Sequence, residues 1–234
     1  MVMKIEVWSD YVCPFCYIGK KQLEMAIQET GIKDVEVEYK SYMLDPNTPE
    51  DSSVHVYDSL AKKYQTSVDQ AKNMTSSVVA RAQEVGLAYD FTNLMEENTL
   101  KAHRLTKWAA QYNKGQALTE AILHAHFIKG QRIGQDAVLL AIVKEVGLDT
   151  AAAQQIITTD AFTEEVHADI AESRELGVQG VPFFVIDRKY GISGAQPAEV
   201  FEQTLRKVAN ENASSLQMQG DGSAACDDEK CDLS

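Results

Sequence analysis

No apolar run in the 234 residues is long enough to cross a bilayer, and no segment repeats. Positive charge is in deficit: 22 lysines and arginines face 35 acidic residues, for a net charge of -13. That balance argues against nucleic acid and anionic lipid surfaces as partners. The N-terminus "MVMKIEVWSD" lacks both a sustained apolar core and a small-residue cleavage site, so it does not read as a signal peptide, and a cytoplasmic protein is expected. Cysteine is sparse, with four residues in a chain large enough to bury a core without cross-links. In a reducing compartment paired cysteines are more often catalytic, sensing or metal-binding than structural.

What is present reads as alternating strand and helix at the two ends and helix between. "KIEVW", residues 4–8, and "VEVEYKSYML", from Val35, alternate as strands. Between them Pro14 suits a first helical position and Gly31 a C-terminal cap, which predicts a βαβ unit with a parallel pair. From about Pro46 to Val166 the patterns are helical. Ser67 and Gln70 form a capping box, "NLMEENTLKAHRLTKWAAQYNKG" and "ALTEAILHAHFIKG" read as further helices, and Asp136 and Asp160 are expected to cap two more. The endings "QEVGL", "KEVGL" and "RELGV" each place glycine at the stop and an apolar residue after it, as a Schellman cap requires. After Gly177, "VPFFVID" and "YGISGA" predict an antiparallel hairpin, followed by a helix from about Pro197. The remainder, residues 214–234, is small, polar and acidic and reads as a flexible tail.

Chemistry concentrates in "YVCPFCYIGK", residues 11–20. Cys13 falls at the start of the first helix, where unpaired backbone N–H groups and the positive helix end stabilise a thiolate. Cys16, one turn inside, is spaced to attack a mixed disulfide on Cys13. A zinc half-site and plain buried cysteines use the same spacing, so the pair alone leaves those roles open. A second element, "GVQGVPFFV", places Val181-Pro182 ahead of a strand.

The phrases "SDYVCPFCYIGK", "ENTLKAHRLTKWA" and "GVQGVPFFVID" resemble the thioredoxin-like DsbA family, most closely its cytoplasmic FrnE-like branch, over about Met3 to Asn212. The resemblance implies an α/β thioredoxin fold with a large all-helical insertion. Residues 1–45 and 167–213 would form the thioredoxin-like part, 46–166 the inserted helical domain and 214–234 the tail. It implies a cis Val181-Pro182 bond facing the cysteines, with Val181 and Pro182 lining the place where a substrate strand docks. It implies disulfide exchange or isomerisation on protein thiols and disulfides, with Cys13 as nucleophile, Cys16 as resolving thiol, and a thiol reductant or oxidant for recycling. No cofactor is expected. Kappa-type glutathione transferases and 2-hydroxychromene-2-carboxylate isomerases share this layout, but usually carry serine at the position of Cys13 and lack the second cysteine. A glutathione-dependent transferase or isomerase is therefore the alternative.

Cys226 and Cys231 enclose "DDEK" near the C-terminus. The acidic surroundings raise thiol pKa, which suits a pair that relays electrons to or from Cys13–Cys16 better than one that attacks first. FrnE-like proteins with an extra C-terminal pair belong to the same resemblance. All four thiols together also have spacings compatible with one zinc, which would make a redox-released, chaperone-like binding module. No resident metal is assigned. Asn98 and His103 lie off one helical face, and "HAH" at 124–126 points its rings apart, so His103 reads as a packed or surface histidine. Trp8 and Asp10 read equally as strand-end packing or as the border of a cleft.

Overall fold

The structure, a computed structural model, describes residues 2–213. Strand β1 (Met3–Ser9), helix α1 (Pro14–Thr30) and strand β2 (Val35–Ser41) form the expected unit, with β1 and β2 parallel from Met3 opposite Val35 to Ser9 opposite Ser41. Helices α2 (Val56–Lys63), α3 (Val68–Glu84), α4 (Leu100–Ala110), α5 (Gly115–Phe127), α6 (Asp136–Glu145), α7 (Thr150–Thr158) and α8 (Thr163–Glu175) follow. Strands β3 (Phe183–Ile186) and β4 (Tyr190–Ser193) then make the antiparallel hairpin, and α9 (Ala198–Ala213) ends the described chain. The sheet order is β2-β1-β3-β4, with β1 antiparallel to β3 and Trp8 opposite Phe183. This is the mixed sheet of a thioredoxin-like fold with helices inserted between its halves.

Alternation along β1 decides what covers the sheet. Met3, Ile5 and Val7 pack with Leu23 and Ala26 of α1 and with Phe201, Leu205 and Val208 of α9. Each of these buried side chains larger than alanine contributes about 1.5–3 kcal/mol of transfer free energy. The other face is polar and is covered by α8. The Trp8 indole donates to the Asp169 carbonyl at 2.8 Å, and the Asp169 carboxylate takes the Ser41 amide at 2.7 Å and pairs with Lys107 and Lys40. A second apolar cluster joins Tyr17 and Ile18 of α1 to the inserted helices through Leu105, Leu118, Ile122 and Phe127. One helix, α1, thus serves both cores.

The helix ends follow local chemistry. The Ser67–Gln70 capping box closes in both directions at 3.2 Å. The three "GL/GV" stops are Schellman caps: Leu87, Leu148 and Val178 donate back to Ala82, Val143 and Ser173 at 2.9, 3.1 and 2.8 Å. Other expectations are corrected. The helix expected from Asn93 starts at Leu100, because Asn98 accepts the Leu100 amide at 3.0 Å and residues before it are spent on Ser52, Ser59 and Arg132. Asp136 lies inside α6 rather than capping it, and Phe162, not Asp160, precedes α8.

Candidate active site

The turn after β1 delivers both cysteines to the carboxyl end of that strand. Pro14 opens α1, where its missing N–H is not needed, and leaves Cys13 as the N-cap in extended conformation (φ -90, ψ 111). No side chain caps the helix, so its first-turn N–H groups face the Cys13 position. Both cysteines are free thiols and buried. Cys13 Sγ donates to the Val181 carbonyl at 3.4 Å, across the loop that leads into β3. Cys16 Sγ accepts the Asp10 amide at 3.4 Å. Burial, and then the neighbouring Cys13, push the Cys16 thiol well above its ordinary 9.0, while Ser9 and the Asp10 amide pull against them.

The facing wall is the Val181-Pro182 peptide, which is cis. Gly194 donates to the Pro182 carbonyl at 2.8 Å and fixes the loop to the end of β4. Gly19, on α1 one turn after Cys16, lets that helix lie against the loop. A Cβ there would sit 3.0 Å from both Pro182 Cγ and Phe184 Cζ. On the helical side the Tyr89 hydroxyl donates to the Pro14 carbonyl at 2.7 Å, and burial pushes its phenol far up, helped by the nearby cysteines. The Arg81 guanidinium lies 5.1 Å over the Phe15 ring and donates to the Ala195 carbonyl at 3.0 Å, joining α3 to both walls.

A family model described as a DSBA-like thioredoxin domain matches residues 4–206. The chain belongs to this family. It is 31% identical over 207 residues to the uncharacterized protein YwbO of Bacillus subtilis (strain 168), covering 88% of this chain and 96% of that one. The crystal structure of a probable DsbA oxidoreductase, SCO1869 from Streptomyces coelicolor, superimposes with a TM-score of 0.86 at 35% identity and covers 99% of both chains. A 2-hydroxychromene-2-carboxylate isomerase, 14% identical, shares the fold with a TM-score of 0.67 over 90% of this chain and 98% of its own.

In this DsbA-like chain Cys13, Cys16, Val181 and Pro182 meet at one point, although 165 or more residues separate the two motifs. Cys226 and Cys231 lie outside the described residues. Trp8 does not border the cleft; its indole is committed to Asp169 on the far face of the sheet. Asp10 does lie beside Cys16, and its carboxylate meets His103 Nε2 at 3.4 Å and the Leu44 amide at 2.7 Å. The two "HAH" rings part as expected. His124 is half-buried, and His126 is buried, which holds its pKa down at about 4. No group of three or more His, Cys, Asp or Glu among the described residues is arranged to hold a metal ion. No described helix is long and apolar enough to cross a membrane. Tyr89, Arg81 and Gly19 were not readable as site residues: Tyr89 and Arg81 reach Pro14 and Phe15 from far away in sequence, and Gly19 meets Pro182 and Phe184 on the distant loop.

Proposed function

We propose that this chain is a cytoplasmic thiol–disulfide oxidoreductase that exchanges disulfides with protein substrates through Cys13 and Cys16. One observation carries the reading. Cys13 caps a helix and faces the Val181 carbonyl, while Cys16 sits deeper behind it with an amide N–H on its sulfur. In the reductive direction Cys13 thiolate attacks a substrate disulfide, forming a Cys13–substrate disulfide and expelling one substrate thiolate. Cys16 thiolate then displaces the second, forming Cys13–Cys16. The reverse sequence oxidises a dithiol. The half-buried Val181 backbone and Pro182 are the docking edge for an extended substrate segment. Cys226 and Cys231 relay electrons between the Cys13–Cys16 pair and a recycling thiol partner. The resolving position held by Cys16 favours exchange over a glutathione-dependent isomerisation, which has no use for it.

Insulin-disulfide reduction tests the reading. Cys13→Ala abolishes activity and Cys16→Ala accumulates covalent substrate adducts; Cys13→Ala active at the wild-type rate would overturn it. Deleting the chain from Gly220 onward leaves the first turnover intact and slows recycling, and unchanged recycling removes the relay.

A further inference from the structure

Asp10 is almost wholly buried, yet both carboxylate oxygens are engaged: Oδ2 by the Leu44 amide at 2.7 Å and Oδ1 by His103 Nε2 at 3.4 Å. His103 comes from α4 and is itself 3% exposed, with its ring 4.7 Å from the Tyr11 ring. The backbone N–H of this same Asp10 is the donor on Cys16 Sγ, and the Asp10 carbonyl takes the Cys13 amide at 3.1 Å. Contacts at both oxygens restrict rotation of the carboxylate, which helps hold the peptide that carries it in register with both cysteines.

We propose that Asp10 and His103 are positioning residues for the resolving step: clamped between His103 and Leu44, the Asp10 side chain keeps its own amide on Cys16 Sγ and stabilises the thiolate that Cys16 must become. The proposal rests on the exchange reading above. In that step Cys16 S–H first gives its proton to solvent base. The Cys16 thiolate then attacks Cys13 of the Cys13–S–S–R intermediate. The Cys13–Cys16 bond forms, the Cys13–SR bond breaks, and R–S⁻ leaves with the electron pair and is protonated by water. Cys16 is oxidised and the substrate sulfur reduced. A hydrogen bond to a charged group is worth enough that losing it slows the step about tenfold or more. Other groups set the field. Cys13 and Ser9 bond Cys16, Tyr39 and Tyr89 lie within its electrostatic reach, and Asp10 acts on His126 the same way. Tyr39, Lys40 and Lys107 line a cavity of about 10 Å³ together with His103 and Ser9.

The test is single-turnover reaction of the reduced full-length chain, carrying Cys226→Ser and Cys231→Ser, with 5,5′-dithiobis(2-nitrobenzoate). The first nitrothiobenzoate release reports attack by Cys13 and the second reports resolution by Cys16. His103→Leu leaves the first release at the parent rate and slows the second about tenfold at pH 7. Its pH midpoint moves up by about one unit, and His103→Gln, which keeps a donor toward Asp10, restores most of the rate. Second-release rates and midpoints equal to the parent's in His103→Leu would overturn the proposal. Should that variant not fold, Asp10→Ala is judged by the same two readouts. Absence of a fast first release in the parent protein would instead overturn the exchange reading itself.

Discussion

Glu120→Gln tests how α5 holds the cysteine-bearing helix. The Glu120 carboxylate accepts the Tyr17 hydroxyl at 2.6 Å and Lys21 Nζ at 3.0 Å and forms an ion pair with Lys20 Nζ at 2.5 Å. Burial alone would push this carboxyl up, but Lys20, Tyr17 and Lys21 outweigh it and hold the pKa down at about 2, against an ordinary 4.5. Between those values the unfolded chain binds the proton more readily than the folded one. The contribution is therefore complete above pH 4.5 and is lost as pH falls toward 2. At about 1.4 kcal/mol per unit the displacement corresponds to roughly 3 kcal/mol. The side chain keeps 34% of its surface, so solvent screening reduces this to roughly 1–2 kcal/mol. Lys20, 4% exposed, retains Glu24 as a partner, which limits the damage. Urea unfolding of wild type and Glu120→Gln at pH 7 and pH 3 measures it. The variant is expected to be less stable by about 1–2 kcal/mol at pH 7, with the gap falling below half at pH 3. A gap of equal size at both pH values would refute an ionic origin, and no gap at pH 7 would refute the anchoring itself.

Gly19→Ala gains up to about 1 kcal/mol of helix propensity and loses about 1–3 kcal/mol to overpacking, because the new methyl meets the Pro182 and Phe184 rings at 3.0 Å. A lower Tm by scanning calorimetry is expected, and a raised Tm would show that the loop yields. Asp169→Ala strips Lys107, Lys40 and the Ser41 amide of a shared acceptor. It should cost about 3–5 kcal/mol in denaturant unfolding, and a loss under 1 kcal/mol would contradict the hub role. His126 is held by burial at about 4, below an ordinary 6.5, so its neutral form stabilises the fold above pH 6.5 and that stability drains as pH falls toward 4. His126→Leu should flatten the wild-type stability loss between pH 7 and 4.5, and parallel pH curves would rule this out.

The cysteine turn was legible because its determinants are local: within a helix Pro14 fits only the first turn, which places Cys13 at the N-cap and Cys16 one turn in. The Schellman stops and the Ser67–Gln70 box were legible for the same reason. Where local signals compete with distant partners, the pattern misled. The stretch after Asn93 has helical composition, but Glu97 is drawn to Arg132 and the Gly134 amide, and the helix waits until Leu100. Short α2 escaped notice because its cap is His55, an unusual cap whose ring accepts the Tyr57 amide at 3.1 Å. His103 read as a packed or surface histidine and is indeed buried, but its partner Asp10 lies 93 positions away and could not be read. No periodicity encodes such a pair.

The pairing of β1 with both β2 and β3 has a consequence for how the protein is made. Its first neighbour leaves the ribosome soon after it, since Ser9 pairs with Ser41. Its second arrives far later, when Phe183 comes to lie against Trp8 and Ile186 against Ile5. At about 5–20 residues per second that interval is roughly 7–30 s. Throughout it the nascent chain carries a complete Cys13–Pro14–Phe15–Cys16 turn whose facing wall, Val181-Pro182, has not been synthesised. Half of a central strand is left unpaired for the same time. During synthesis these thiols meet oxidants and reductants without the loop whose Val181 carbonyl later takes the Cys13 thiol.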